Sequence, residues 1–228
     1  MKPHEFWQGF VARDEPPPYQ DRYPAALPDG RILELPIRAL PDGSGGIASL
    51  ILTQASFEVE AALADILAAR IGRDRPDIVV GMPTLGLALA RAVAARLGHR
   101  RYVALGTSRK FWYDADLSVP LSSITSPDAT KRLYLDPRML PLLNGRVALI
   151  DDVISTGRSI CAGLDLLEKA GVTPVALGAA MLQTRRWRDA LAGQGIDLVP
   201  HHALSTPRLS RGSGGWHPDE TGSDAPPL

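Results

Sequence analysis

One cysteine in 228 residues, Cys161, leaves no partner for an intrachain disulfide and fits a reducing compartment. Neither sign of charge is in excess, since 25 Lys plus Arg balance 25 Asp plus Glu. That balance supplies no general attraction for nucleic acid or an anionic membrane, so any anion site must be assembled locally. No apolar run approaches the length that crosses a bilayer. Met1-Lys2-Pro3-His4-Glu5 lacks the apolar stretch of a signal peptide. These absences predict a soluble cytoplasmic protein without nucleic-acid or membrane partners. The five histidines show no metal-ligand spacing, and His201-His202 is a pair without companions. No internal repeat is visible.

What is present divides into three regions, 1–46, 47–204 and 205–228. The first is rich in Pro, Gly and aromatics. Pro16-Pro17-Pro18 and Pro41-Asp42-Gly43-Ser44-Gly45-Gly46 read as extended chain and turns, with a short strand at Arg31-Ile32-Leu33-Glu34-Leu35. The last is dominated by Ser, Gly, Pro and charge. Ser210-Arg211-Gly212-Ser213-Gly214-Gly215 and Asp224-Ala225-Pro226-Pro227 predict a mobile tail.

The middle region alternates two periods. Ser56 can cap a helix with Glu58 and Glu60 in its first turn and Val59, Leu63, Ile66, Leu67 and Ile71 at helical spacing. Asp77-Ile78-Val79-Val80-Gly81 is the short apolar run of a buried parallel strand. Leu89, Val93 and Leu97 follow on a helix closed by Gly98. Tyr102–Leu105, Arg146–Ile150 and Pro174–Leu182 read as further strands, the last two separated by a helix carrying Ile160, Leu164 and Leu167. The pattern predicts an α/β fold, a doubly wound and mainly parallel sheet, whose ligands sit at the carboxyl ends of the strands.

At one such end two acids meet a hydroxyl-rich loop, Asp151-Asp152-Val153-Ile154-Ser155-Thr156-Gly157-Arg158-Ser159. Ser155, Thr156, Gly157, Arg158 and Ser159 can offer backbone N–H groups, hydroxyls and a helix N-terminus to a phosphate. Gly157 permits tight closure of the backbone. Asp151 and Asp152 suit sugar hydroxyls or a magnesium-bound sugar beside that phosphate. The segment resembles the phosphoribosyl-pyrophosphate signature of the type I phosphoribosyltransferases. The resemblance runs from about Leu33 to Leu191 and is nearest to the adenine enzymes. It implies the type I fold, and residues 1–46, with Phe6, Trp7, Phe10 and Tyr23, are expected to form a small N-terminal hood over the base although they match no known hood.

The resemblance also implies chemistry: ribose 5-phosphate leaves 5-phosphoribosyl-1-pyrophosphate for a nucleobase, with Mg2+ as cofactor. Asp151 and Asp152 would stabilise the sugar cation and take part in holding the metal, directly or through water and ribose hydroxyls. Met82, Pro83, Thr84 and Leu85 match the pyrophosphate loop, although Pro83 and Leu85 stand where adenine enzymes carry an acid and an Arg; Thr84 also suits a plain helix cap. Arg109 and Lys110 resemble the pair that opens the family's flexible catalytic loop, and would meet the leaving pyrophosphate. They also suit a solvated basic pair. The stretch from Phe111 to Leu135 has the length of a lid, with Asp128 in the place of the family's proton-transferring acid. Val153 and Leu182 match apolar positions that sandwich the base, and both also suit plain core. A homodimer is implied. The base expected is a purine, adenine first. Orotate stays open, because Arg185, Arg186 and Arg188 lie beyond Leu182, and so does a regulator that binds without turnover.

Overall fold

The computed structural model describes residues 1–12, 15–121 and 131–219. The chain begins with three antiparallel strands, β1 (Arg22–Ala26), β2 (Ile32–Ala39) and β3 (Gly46–Ala48). Helix α1 (Phe57–Ile71) starts where the sequence predicts, with Ser56 Oγ accepting a hydrogen bond from the Val59 N–H at 3.2 Å. Then come β4 (Ile78–Gly81), α2 (Gly86–Arg96) and the short β5 (Val103–Ala104). An antiparallel pair, β6 (Ser118–Pro120) and β7 (Arg132–Tyr134), precedes β8 (Val147–Ile154), α3 (Arg158–Lys169), β9 (Ala176–Gln183), α4 (Trp187–Gly193) and β10 (His201–Thr206). Strands β11 (Arg208–Gly212) and β12 (Gly215–Pro218) close the described chain.

The central sheet has the order β10-β9-β8-β4-β5, and every pairing in it is parallel. All residues of β4 and β9 are buried, as a sheet covered on both faces requires. One face packs against α1 and α2, through Leu63, Leu67, Leu89 and Val93. The other packs against α3 and the β6–β7 pair, through Leu133, Leu164 and Leu167. The winding direction reverses between β4 and β8. Loops leaving the two strands therefore turn to opposite faces and open a crevice at the carboxyl edge, the usual ligand position in such sheets.

The second sheet is antiparallel, in the order β1-β2-β3-β11-β12. It is the hood, and both flanks of the chain build it. The predicted mobile tail from Ser205 is thereby corrected for residues 205–218. Ser205 and Thr206 extend β10, and the Ser/Gly run is the turn of a hairpin, with Gly214 at φ 83°. Two apolar side chains fix it: Leu209 is fully buried, and the Trp216 ring lies over Gly46, where a Cβ would come within 2.9 Å of it. The predicted boundary at residue 46 shifts as well, because β3 continues the hood through Ala48. Trp7, which is buried, donates its indole N–H to the Ser49 carbonyl at 3.1 Å and ties the N-terminal turn to the same sheet. Asp224-Ala225-Pro226-Pro227 lies outside the described residues. Among the described residues no helix is long and apolar enough to cross a membrane.

Candidate active site

Strand β8 carries its apolar run into the two acids and continues through Val153 and Ile154, which pair with Met181 and Leu182 of β9. Asp151 is buried, and its Oδ1 accepts the Asp152 N–H at 2.9 Å. The start of α2 presses against this carboxylate: a Cβ on Gly86 would lie 2.8 Å from Asp151 Oδ1. Burial, followed by the neighbouring Asp152 charge, pushes the Asp151 carboxyl well above the usual carboxylate range. Burial also raises Asp152, against the opposing pull of its hydrogen bonds. Among the described residues neither acid has an ion-pair partner. Such a pair favours a ligand that brings its own cation or hydroxyl donors.

Beyond the acids the chain turns through Ser155 and Thr156 to Gly157, which adopts a left-handed conformation at φ 81°. A side chain there would be strained, and its Cβ would sit 2.8 Å from the Ala190 Cβ. Helix α3 then starts without a side-chain cap, so its first amides remain for an anion. Helix α2 also lacks a side-chain cap and starts at the same crevice.

Two adjoining cavities meet at these acids. The larger, about 890 Å³, contains the whole Ser155–Ser159 loop in its wall. Its floor is the Val153–Met181 pair, cross-strand partners in β8 and β9, with Gln183 two positions further on the same face. The hood supplies Ile47 and, from the following connection, Leu50 and Ile51. Arg38, Arg186 and Arg208 also line this cavity, together with the acid Asp42. The smaller cavity, about 400 Å³, is lined by Pro83, Thr84, Thr107, Lys131 and both acids. Leu85, Asp152, Val153 and Ser159 belong to both walls. Asp152 therefore stands where the two chambers join.

The model of the phosphoribosyl transferase domain matches residues 51–193, more than half of the chain. The chain belongs to the phosphoribosyl transferase domain family. Among curated relatives it is 33% identical over 129 residues to the xanthine phosphoribosyltransferase of Chloroflexus aurantiacus, covering 54% of this chain and 56% of that one. It is 31% identical over 114 residues to the bifunctional protein PyrR of Limosilactobacillus reuteri, covering 49% and 61%. The chain thus spans little more than half the length of these relatives. Among solved structures, the adenine phosphoribosyltransferase of Giardia lamblia bound to 9-deazaadenine superposes with a TM-score of 0.58 at 20% identity, covering 74% of this chain and 93% of that one. The Saccharomyces cerevisiae adenine phosphoribosyltransferase gives 0.55 at 17% identity, covering 74% and 92%. These two likenesses establish the fold.

Within this phosphoribosyl transferase domain the structure brings most of the predicted residues together. Asp151, Asp152, Val153, Thr84, Pro83, Leu85 and residues 155–159 all line the two cavities. Met82 does not: its side chain is buried against Gly163 in the core, and its N–H is spent on the Ile150 carbonyl at 2.8 Å. Leu182 is also displaced from the expected place. Side chains alternate along a strand, and Leu182 faces the α3 core while Met181 and Gln183 face the cavity. Arg109 and Lys110 are exposed and line neither cavity, whereas Lys131 does. Thr84 does not cap α2, which begins after Leu85. Asp128 lies outside the described residues. Sequence reasoning missed Met181, Gln183 and the hood residue Ile47. A uniformly buried β9 carries no polar alternation to reveal which residues face the ligand. Cys161 is a small core residue on α3, its thiol pushed up by burial and then by Asp165.

Proposed function

We propose that this protein transfers ribose 5-phosphate from 5-phosphoribosyl-1-pyrophosphate to a purine base and releases pyrophosphate. The observation that carries this reading is the position of Asp152 between the two chambers. A sugar at that junction has its 5-phosphate on the Ser155–Ser159 amides and its hydroxyls on the paired acids. Its anomeric carbon then faces the Val153–Met181 floor, and its pyrophosphate enters the chamber of Thr84 and Lys131. Fixing both reactants this way replaces a bimolecular encounter by an oriented one. As the C1–oxygen bond breaks, positive charge grows on the sugar beside the acids. Ionised acids stabilise it, the oxygens of pyrophosphate keep the bonding pair, and a ring nitrogen of the base donates its lone pair to C1 and releases its proton to the departing pyrophosphate or to water. Water would otherwise capture the sugar cation, so this chemistry requires cover over the junction.

Magnesium fits this donor set. Among the described residues no cluster of three metal-binding side chains exists. Asp151 and Asp152 would therefore share the ion with ligand oxygens and water, the habit of magnesium in phosphate sites. Bound there, it would supply positive charge to offset that of the leaving pyrophosphate.

Adenine heads the purines because the run from Lys131 to Leu191 resembles the adenine enzymes. A second reading, orotate or another acidic base, rests on Arg38, Arg186 and Arg208 in the wall of the larger chamber. Turnover of labelled 5-phosphoribosyl-1-pyrophosphate with adenine, hypoxanthine, guanine, xanthine, uracil and orotate tests both. A purine is expected to lead. Orotate or uracil ahead by tenfold in kcat/KM, about 1.4 kcal/mol in transition-state binding, would replace the purine reading.

A further inference from the structure

Gln183 is a polar side chain, 6% exposed, at the carboxyl end of a strand whose other residues are all buried and apolar or glycine. Burying a carboxamide is costly unless its groups find partners. One partner is present: Nε2 donates to the Ala48 carbonyl of the hood strand β3 at 2.6 Å. A carbonyl can only accept, so this bond fixes the orientation of the amide. The remaining atom, Oε1, receives no hydrogen bond from any described residue, and the side chain lines the larger cavity. Gln183 thus offers an acceptor that cannot turn into a donor without breaking the tie to the hood.

The register places this acceptor relative to the chemistry. Asp151 pairs with Ala179 and Val153 with Met181, so the level of Asp152 on β9 is Ala180. Gln183 stands three residues further along the strand, roughly 10 Å at the usual rise per residue. A base lying on Val153 and Met181 turns its reacting nitrogen toward the sugar at Asp152. Its opposite edge then meets Gln183 at the hood.

We infer that Gln183 is a specificity-determining residue that selects bases carrying an exocyclic amino group on the edge remote from the reacting nitrogen. This rests on the phosphoribosyl-transfer reading above. An amino group there donates to Oε1. A ring carbonyl in the same place sets two acceptors against each other and leaves both without a donor, which is how a polar site rejects a near-isostere.

Adenine and hypoxanthine differ at this group, so the ratio of their kcat/KM values reads the selection. The wild-type ratio is expected to favour adenine by about 100-fold. Gln183→Met keeps the volume and removes the acceptor, and should bring the ratio to about tenfold or less. Gln183→Lys supplies a donor, and should invert the preference. A residue that only fastens the hood would, when replaced, slow both bases alike and leave the ratio unchanged. That result, or a wild type that uses hypoxanthine as well as adenine, overturns the inference while leaving phosphoribosyl transfer intact. Failure of the wild type to turn over any base in the presence of magnesium removes the functional reading itself, and this inference with it.

Discussion

Asp151 and Asp152 are charges that the folded chain resists holding. Removing one should separate stability from activity. Asp152→Asn is expected to leave the melting temperature unchanged or raised, because a desolvated acid beside a second acid is relieved. Turnover should fall by about 100- to 1,000-fold, the loss seen when a preorganised electrostatic group is deleted. Near-wild-type kcat would remove Asp152 from the chemistry. Asp136 behaves in the opposite sense. The Arg138 guanidinium, then the Arg138 N–H and the Trp112 indole, hold its carboxyl down at about 2, against a counteracting burial. A depressed carboxylate contributes stability that is complete above its unfolded value near 3.8 and is lost as pH falls toward about 2. Asp136→Asn should flatten the melting-temperature profile across that window. An unchanged acid limb would show that the pair contributes nothing. At this scale the acids and the loop were legible in the sequence, because paired carboxylates following an apolar strand run are chemically unusual. Gln183 and Met181 were not. One residue of register on a fully buried strand decides which side chain meets the ligand, and apolarity alone does not encode it.

Helices and strands of the middle region were largely legible, since caps and apolar spacing are local. Ser56, Gly98 and Gly171 punctuate α1, α2 and α3 as composition suggests, with Gly98 and Gly171 at positive φ. The hairpin of β11 and β12 was not legible: its Ser/Gly turn has the composition of a tail, and its two anchors, Leu209 and Trp216, are spaced too widely to form a pattern. Deleting residues from Arg208 onward tests its role. Loss of two of the five hood strands should lower the melting temperature and weaken base binding, while a calorimetric signal for 5-phosphoribosyl-1-pyrophosphate with magnesium persists. Full base affinity after truncation would show that the hood plays no part in recognition. At the Ser155–Ser159 loop, Gly157→Ala forces a Cβ into a left-handed residue 2.8 Å from the Ala190 Cβ. A cost of about 1–3 kcal/mol in stability is expected, with loss of phosphate affinity, both read by titration calorimetry and melting. Intact phosphate binding would mean that the loop adapts.

For the whole molecule, the order β10-β9-β8-β4-β5 followed from alternation only as a fold class; the reversal between β4 and β8 depends on crossovers that no local pattern specifies. Phe57, Phe111 and Trp112 present large apolar faces to solvent, and the family resemblance implies a homodimer. Light scattering at micromolar concentration is expected to give twice the 24.5 kDa chain mass, and a monomeric value would reject the dimer. Finally, the hood joins segments far apart in the chain. Arg208 donates to the Ser44 carbonyl across 164 residues, whereas the Ser155–Ser159 loop rests on the consecutive elements β8, α3 and β9. Contacts between distant segments close slowly, because the chain between them must first be gathered in. Refolding followed through Trp216, with the other tryptophans replaced by Phe, should therefore lag the recovery of far-ultraviolet dichroism; simultaneous recovery would contradict it. If the proposed function holds, a newly collapsed molecule would have its Ser155–Ser159 loop in place before the surface that tells one base from another.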